Sequence, residues 1–166
     1  MGMITKFDTI DLTKGAGKAE LVKWSDKYYT GVELVDTQHR ELVNLTNKLY
    51  EACLVRSDEL GGVFKDAMSR MVDYVRFHFS AEQKLLERIK YPEYPTHKKQ
   101  HEELVIDILA VAKEYNEGRH LVPNKFARTL QEWIFSHIAI YDQMWAAYVN
   151  EQKRKGLLTD EMINSQ

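Results

Sequence analysis

Between Asp36 and Tyr148 the inward-type residues of this chain return every three or four positions in four separate runs, divided by breaks that carry glycine or proline. The second run is the most regular: Phe64, Met68, Met71, Val75, His78, Glu82, Leu85 and Ile89 keep the alternation for almost four heptads. The first, from about Asp36 to Arg56, places His39, Leu42, Thr46, Leu49 and Cys53 inward, with Asp36 as its N-cap. The third holds His97, His101, Leu104, Ile108, Val111 and Tyr115, and stops near Gly118. The fourth holds Phe126, Leu130, Trp133, His137, Ile140, Met144 and Tyr148, with Pro123 in its first turn. A mean spacing of about 3.5 is that of helices packed at a shallow angle, each burying one stripe. Ser57-Asp58 with Gly61-Gly62, and Tyr91-Pro92-Glu93-Tyr94-Pro95, separate the runs. Such short connections make successive helices antiparallel neighbours. The predicted fold is all-α: an up-down-up-down antiparallel four-helix bundle.

The bundle is expected over residues 24–150, after an N-terminal arm (1–23) and before a C-terminal extension (151–166) that reads as a helix continuation with a frayed tail. Within the bundle unit, Trp24, Tyr28, Tyr29 and Gly31 form an aromatic lead-in expected to lie against the helices. At 166 residues with 44% hydrophobic residues, the chain suits one domain with a sizeable core. A formal net charge of −2 builds no positive field, which argues against nucleic acid or an anionic membrane as partner. The single cysteine, Cys53, cannot form an internal disulfide and suits a reducing compartment. No apolar stretch approaches the length of a membrane helix, and the first residues lack a secretory pattern, so cytoplasm is the expected location.

The chemistry lies in where the histidines fall. Of six, five occupy inward positions: His39, His78, His97, His101 and His137, with only His120 left in a connection. One histidine on an apolar face is commonly a hydrogen-bonded core residue. Five would bury polar rings at a cost of roughly 1–3 kcal/mol each without partners, and metal ligation turns that cost into binding energy. His97 and His101 are four apart, as are His78 and Glu82, so each pair shares a helix face. His97-Lys98-Lys99-Gln100-His101 lacks the glutamate of a zinc-protease motif. His137 and Asp142 are five apart, about 140° around a regular α-helix, so they straddle the seam unless a π-turn realigns them. Five imidazoles exceed a tetrahedral zinc site, while five nitrogens with two carboxylates suit two octahedral-type ions.

The strings Val35-Asp36-Thr37-Gln38-His39, His78-Phe79-Ser80-Ala81-Glu82, His97-xxx-His101 and His137-Ile138-Ala139-Ile140-Tyr141-Asp142 resemble the hemerythrin family in its single-domain bacterial form, over roughly Trp24 to Tyr148. That resemblance implies two iron ions bridged by an oxo or hydroxo group. His97, His101 and His137 would bind one iron, His39 and His78 the other, and Glu82 and Asp142 would bridge them. The iron with fewer ligands would bind O2 reversibly. The positions that match the family's ligand pocket hold Leu42, Trp133, Ile134 and Ile138, residues that also read simply as core. Ile134 stands where leucine is common in the family.

The resemblance thus implies an O2-binding carrier, store or supplier rather than an enzyme. An O2- or redox-sensing module is the alternative from a second class, though the chain has no room for a fused signalling domain. A di-iron enzyme acting on peroxide or nitric oxide is the third. The one Glu-x-x-His, from Glu117 to His120, is broken by Gly118, and the implied pocket offers apolar side chains with no evident acid. No motif marks a protein partner.

Overall fold

Each of the four runs forms a helix in the computed structural model, which describes residues 20–55, 58–119 and 121–164. The first is α1 (Glu33–Leu54), the second α2 (Leu60–Arg88) and the third α3 (Tyr94–Asn116). The fourth is built from α4 (Val122–Trp133), a π-helical segment (Ile134–Tyr141) and α5 (Asp142–Arg154), and a short α6 (Asp160–Asn164) follows. In space α1 lies beside α2 and α4, and α3 lies beside the same two, so the helices close a ring in chain order. Pro95 and Pro123 sit in the first turns of α3 and α4, where a missing N–H costs nothing. Gly118 ends α3 in the left-handed region at φ +72°, a conformation cheap only for glycine.

Several boundaries differ from the expectation. Asp36 is not the N-cap of α1, which begins at Glu33 after Val32. Its buried carboxylate instead accepts hydrogen bonds from Thr30 N–H (2.7 Å), Thr30 Oγ1 (2.8 Å) and Gly31 N–H (3.1 Å), reaching back to fasten the incoming chain. Gly61 and Gly62 lie in the first turn of α2 rather than in the break before it. His120 and residues 1–19 of the expected arm lie outside the described residues.

The largest departure is one of phase. Ile140 and Met144, expected inward, are 54% and 48% exposed, and Asp142, Trp145, Ala146 and Val149 are buried instead. A π-helix holds its chain by i→i+5 bonds and so takes one residue more per turn. Eight residues wound this way rotate everything beyond His137 relative to a regular heptad.

The lead-in does lie against the bundle. Tyr28 is buried at the end of a 3₁₀ turn (Asp26–Tyr28), and Val22 exchanges two hydrogen bonds with the Asn47 side chain at 2.9 and 2.8 Å. The C-terminal extension is more ordered than expected. After Gly156 the chain turns back, Lys153 pairs with Asp160, and Leu158 and Ile163 are buried.

Two apolar clusters result. One contains Leu42, Leu49, Phe64, Phe79, Leu104, Phe126, Leu130, Ile134 and Ile138. The other contains Val35, Leu85, Leu86, Trp145, Val149, Leu158 and Ile163. On all four bundle helices the histidines and carboxylates stand where one cluster gives way to the other, forming a polar layer between two dry ones.

Candidate metal centre

Every histidine and carboxylate predicted from spacing reaches this layer. His39, His78, Glu82, His97, His101, His137 and Asp142 are each no more than 3% exposed. Their donor atoms gather into two sets, one of Glu82, His97, His101 and His137 and one of His39, His78 and Asp142, each within 4.8 Å of one another. The i,i+4 spacing puts His78 and Glu82 on one face of α2, with Nε2 and Oε2 3.5 Å apart. The same spacing presents His97 and His101 together from α3, their Nε2 atoms 3.4 and 3.2 Å from Glu82 Oε2.

The π segment solves the five-residue problem. Because its ladder advances by five, His137 and Asp142 come back to one side, and His137 Nε2 lies 3.1 Å from Asp142 Oδ1. Asp142 divides its oxygens between the sets: Oδ1 is also 3.5 Å from His97 Nε2, whereas Oδ2 is 3.2 Å from His39 Nε2. Glu82 is held differently. Its Oε1 accepts a 2.6 Å hydrogen bond from the buried indole N–H of Trp145, leaving Oε2 to face His78, His97 and His101.

Whether these residues fit a metal can be judged from what they leave unpaired. His39 Nε2, His78 Nε2, His97 Nε2, Glu82 Oε2 and both Asp142 oxygens are buried without a hydrogen-bond partner among the described residues. Beside Glu82 Oε2, His101 Nε2 also meets His137 Nε2 at 3.1 Å, so two ring nitrogens with lone pairs converge. Buried polar atoms are nearly always satisfied, and so many orphans in one layer fit a group that accepts lone pairs. The outer nitrogens are aligned for it. His78 Nδ1 is 2.9 Å from Gln38 Oε1, an acceptor that puts the ring proton on Nδ1 and frees Nε2. His101 Nδ1 is 3.1 Å from the Gln83 amide nitrogen, and turning that amide end for end supplies the same acceptor.

Electrostatics agree with ligation. Burial drives His78 down to about 3 against the pull of Glu82, and burial also lowers His101, so both rings stay neutral. Burial opposes charge on His39 and His97 too, but Asp142 raises the first and Glu82 the second above the ordinary imidazole value. Burial would lift both carboxyls. For Glu82 the facing His101 and His97 outweigh it and hold the group well below the ordinary carboxylate range. For Asp142 the neighbouring Glu82 adds to the upward push, and His137 and His39 still win. Ionised carboxylates beside the neutral rings of His78 and His101 are the protonation states a divalent ion needs, and ligation would displace the proton that the carboxylates favour on His39 and His97.

Of the expected pocket residues, Leu42, Ile134 and Ile138 are buried in the larger cluster, and Trp133 stacks on His137 with ring centroids 3.9 Å apart. Leu42 also lines a cavity of about 650 Å³ with Gln38, Tyr74 and His78. The expectation of apolar side chains alone is not met. Tyr74 stacks on His78 at 4.4 Å, its hydroxyl is buried without a partner, and so is the Trp133 indole N–H. Burial, with the charges of Asp142 and Glu82, pushes the Tyr74 hydroxyl well above the ordinary phenol range, so it is a neutral donor. Trp133 lies close enough to oppose that rise, although the two groups do not meet hydrogen-bond geometry. Sequence reasoning also passed over Gln38, Gln83, Phe79 and Trp145. Gln38, one residue before His39, and Trp145, three after Asp142, had a signal in their adjacency to ligand-type residues.

A bundle whose middle layer is five buried histidines and two buried carboxylates defines a metal-binding four-helix protein. The family model of the hemerythrin HHE cation binding domain matches residues 30–149, and the chain belongs to the hemerythrin family. A bacteriohemerythrin of Stenotrophomonas maltophilia is 27% identical over 139 residues, which cover 81% of this chain and 88% of the relative. One from Methylococcus capsulatus is 26% identical over 126 residues, covering 75% of this chain and 94% of its own length. A crystal structure of a hemerythrin mutant shares the fold with a TM-score of 0.67 at 24% identity, over 78% of this chain and 97% of that one. No described helix is long and apolar enough to cross a membrane.

Proposed function

We propose that this protein is a di-iron protein that binds O2 reversibly, as carrier, store or local supplier. The observation that carries the reading is the division of seven buried donors into a set of four and a set of three, with Asp142 offering one oxygen to each. On this assignment His97, His101 and His137 hold one iron, His39 and His78 hold the other, and Glu82 and Asp142 join the two. The imbalance of three imidazoles against two leaves the His39–His78 side short of a protein ligand. When bound, the iron pair supplies the reversible electron exchange that O2 binding requires.

The chain's own residues set the conditions for that exchange. Gln38 orients His78, Trp145 anchors one oxygen of Glu82, and the ionised carboxylates balance metal charge. Leu42, Ile134 and Ile138 are buried in the apolar cluster beside the centre, and such an apolar shell limits water and protons at a metal site. The relatives' name, bacteriohemerythrin, supports the same function. The test is an iron count with absorption spectra of the reduced protein before and after air, and a turnover assay alongside. About two irons per chain, with a spectrum reversed by removing O2 and no turnover, is expected. One iron or none after anaerobic reconstitution overturns the reading, and sustained turnover replaces it with an enzyme.

A further inference from the structure

Donors no more than 3% exposed are reached only through an opening, and two cavities touch the polar layer. The larger, between α1 and α2, reaches His78 and is lined by both signs of charge, Glu41 and Asp73 with Lys48 and Arg70. The smaller, of about 270 Å³ between α3 and the fourth helix, reaches His137 and carries one sign only. Glu103 and Asp107 line it from α3 and Glu132 from α4, with no lysine or arginine in its walls. All three carboxylates are exposed. Glu103 has Lys99 3.9 Å away, while Asp107 and Glu132 have no ion-pair partner among the described residues. Deeper in the same walls stand two orphans: Nδ1 of His137, a ring only 1% exposed, and the amide oxygen of Gln100 are buried without a partner.

We infer that this groove is the entry port for divalent cations, drawn in by Glu103, Asp107 and Glu132 and passed by Gln100 and His137 to the set of four donors behind them. This rests on the di-iron assignment above. A cleft lined by one sign of charge focuses the field and raises the local concentration of counter-ions. In the α1–α2 cavity the cations offset the carboxylates, so no such field forms there. The three carboxylates attract without retaining. None of them joins a group of donors close enough to hold an ion, whereas Glu82, His97, His101 and His137 form one. Gln100 offers a carbonyl-type oxygen, a ligand that divalent cations accept in place of water. The His137 ring then stands between groove and layer, with its Nε2 3.1 Å from Asp142 Oδ1.

The test measures how fast the metal-free protein takes up ferrous iron. Iron is added anaerobically, the unbound ion is trapped with a chelator at set times, and the iron kept by the protein is counted. The parent is compared with the triple variant Glu103→Gln/Asp107→Asn/Glu132→Gln and with Glu41→Gln/Asp73→Asn in the other cavity. At low ionic strength the triple variant should load about tenfold more slowly, or worse, and still reach the parent's final iron content. The gap should close at about 1 M salt, where charges more than about 3 Å apart are screened. The Glu41→Gln/Asp73→Asn variant should keep pace with the parent. Equal rates for the triple variant and the parent at low salt overturn the port and leave the di-iron reading standing. A lower final iron content in the triple variant also overturns it, since those carboxylates then hold metal, as does an equal slowing by Glu41→Gln/Asp73→Asn. A parent that cannot load two irons overturns both.

Discussion

The backbone N–H of Asp142 donates to the carbonyl of His137, so two side chains that meet at 3.1 Å are also tied through the main chain by an i→i+5 bond. The bond belongs to the π segment, and it couples the position of the carboxylate to that of the imidazole. A π turn amounts to one residue inserted in an α-helix. Deleting Ala139 should therefore restore a regular helix while keeping Trp145 and Val149 inward. The metal-free deletion variant should melt within a few degrees of the parent or above it, on the scale of about 2–4 °C per kcal/mol for a chain this size. Its iron content should fall, measured by metal analysis. A variant that loads as much iron as the parent would show that the π geometry is dispensable to the centre.

Trp145 gives Glu82 Oε1 its only hydrogen bond among those described, in a fully buried site. Trp145→Phe keeps most of the ring but strands a buried carboxylate oxygen. The expected loss is about 1.5–3 kcal/mol in chemical denaturation of the metal-free protein. A change under half a kcal/mol would mean that Glu82 finds another donor.

Metal and fold should be linked. Unpaired donors in the middle layer make the metal-free bundle pay a desolvation cost that ligation removes, so chelation should lower the melting temperature. His101→Ala, which removes a donor from the set of four, should lower the iron count below the parent's. Equal melting with and without metal would speak against the coupling.

Ile134 is fully buried beside the centre. Ile134→Ala should cost about 2–5 kcal/mol of stability by cavity formation. The iron count should hold, since no donor is touched, while the air-exposed protein turns irreversibly ferric distinctly faster. An unchanged rate would make Ile134 plain core.

Acid should act through His78 with a definite sign. Its folded value of about 3 lies below the ordinary 6.5, so between those limits the unfolded chain binds a proton that the folded one refuses. That contribution to metal-free stability is intact above about pH 6.5 and is lost on acidification. His39 and His97 are shifted upward, and their contribution is full below the ordinary value and lost as pH rises through the folded one. His78→Asn removes the first effect and leaves His39 and His97 in place. Relative to the parent, the metal-free variant should gain stability between pH 7.5 and pH 5 in urea unfolding, and a relative loss would contradict the shift.

The metal layer was legible in the sequence because ligands on a bundle seam obey the spacing of the core residues around them. His78 and Glu82, or His97 and His101, needed only the three-and-four rule to be placed together. Ile140 and Met144 were misplaced because a π segment leaves no mark in a heptad pattern, and only the awkward interval from His137 to Asp142 hinted at it. Tyr74 escaped because the seam reading chose its neighbour Val75, and the structure turns the tyrosine hydroxyl inward from the seam's edge. Leu158 and Ile163 escaped because two isolated apolar residues in a charged tail carry no period.

Leu158 and Ile163 share the smaller cluster with Trp145, and Trp145 grips Glu82. The end of the chain thus forms a floor beneath the carboxylate, while Leu42, Tyr74 and Ile134 lie on the opposite side of the layer. A disturbance that lifts the tail would reach Glu82 through Trp145, away from the cavity that Leu42 and Tyr74 line. The last residues of the chain thereby help to set how firmly the base of the polar layer is held.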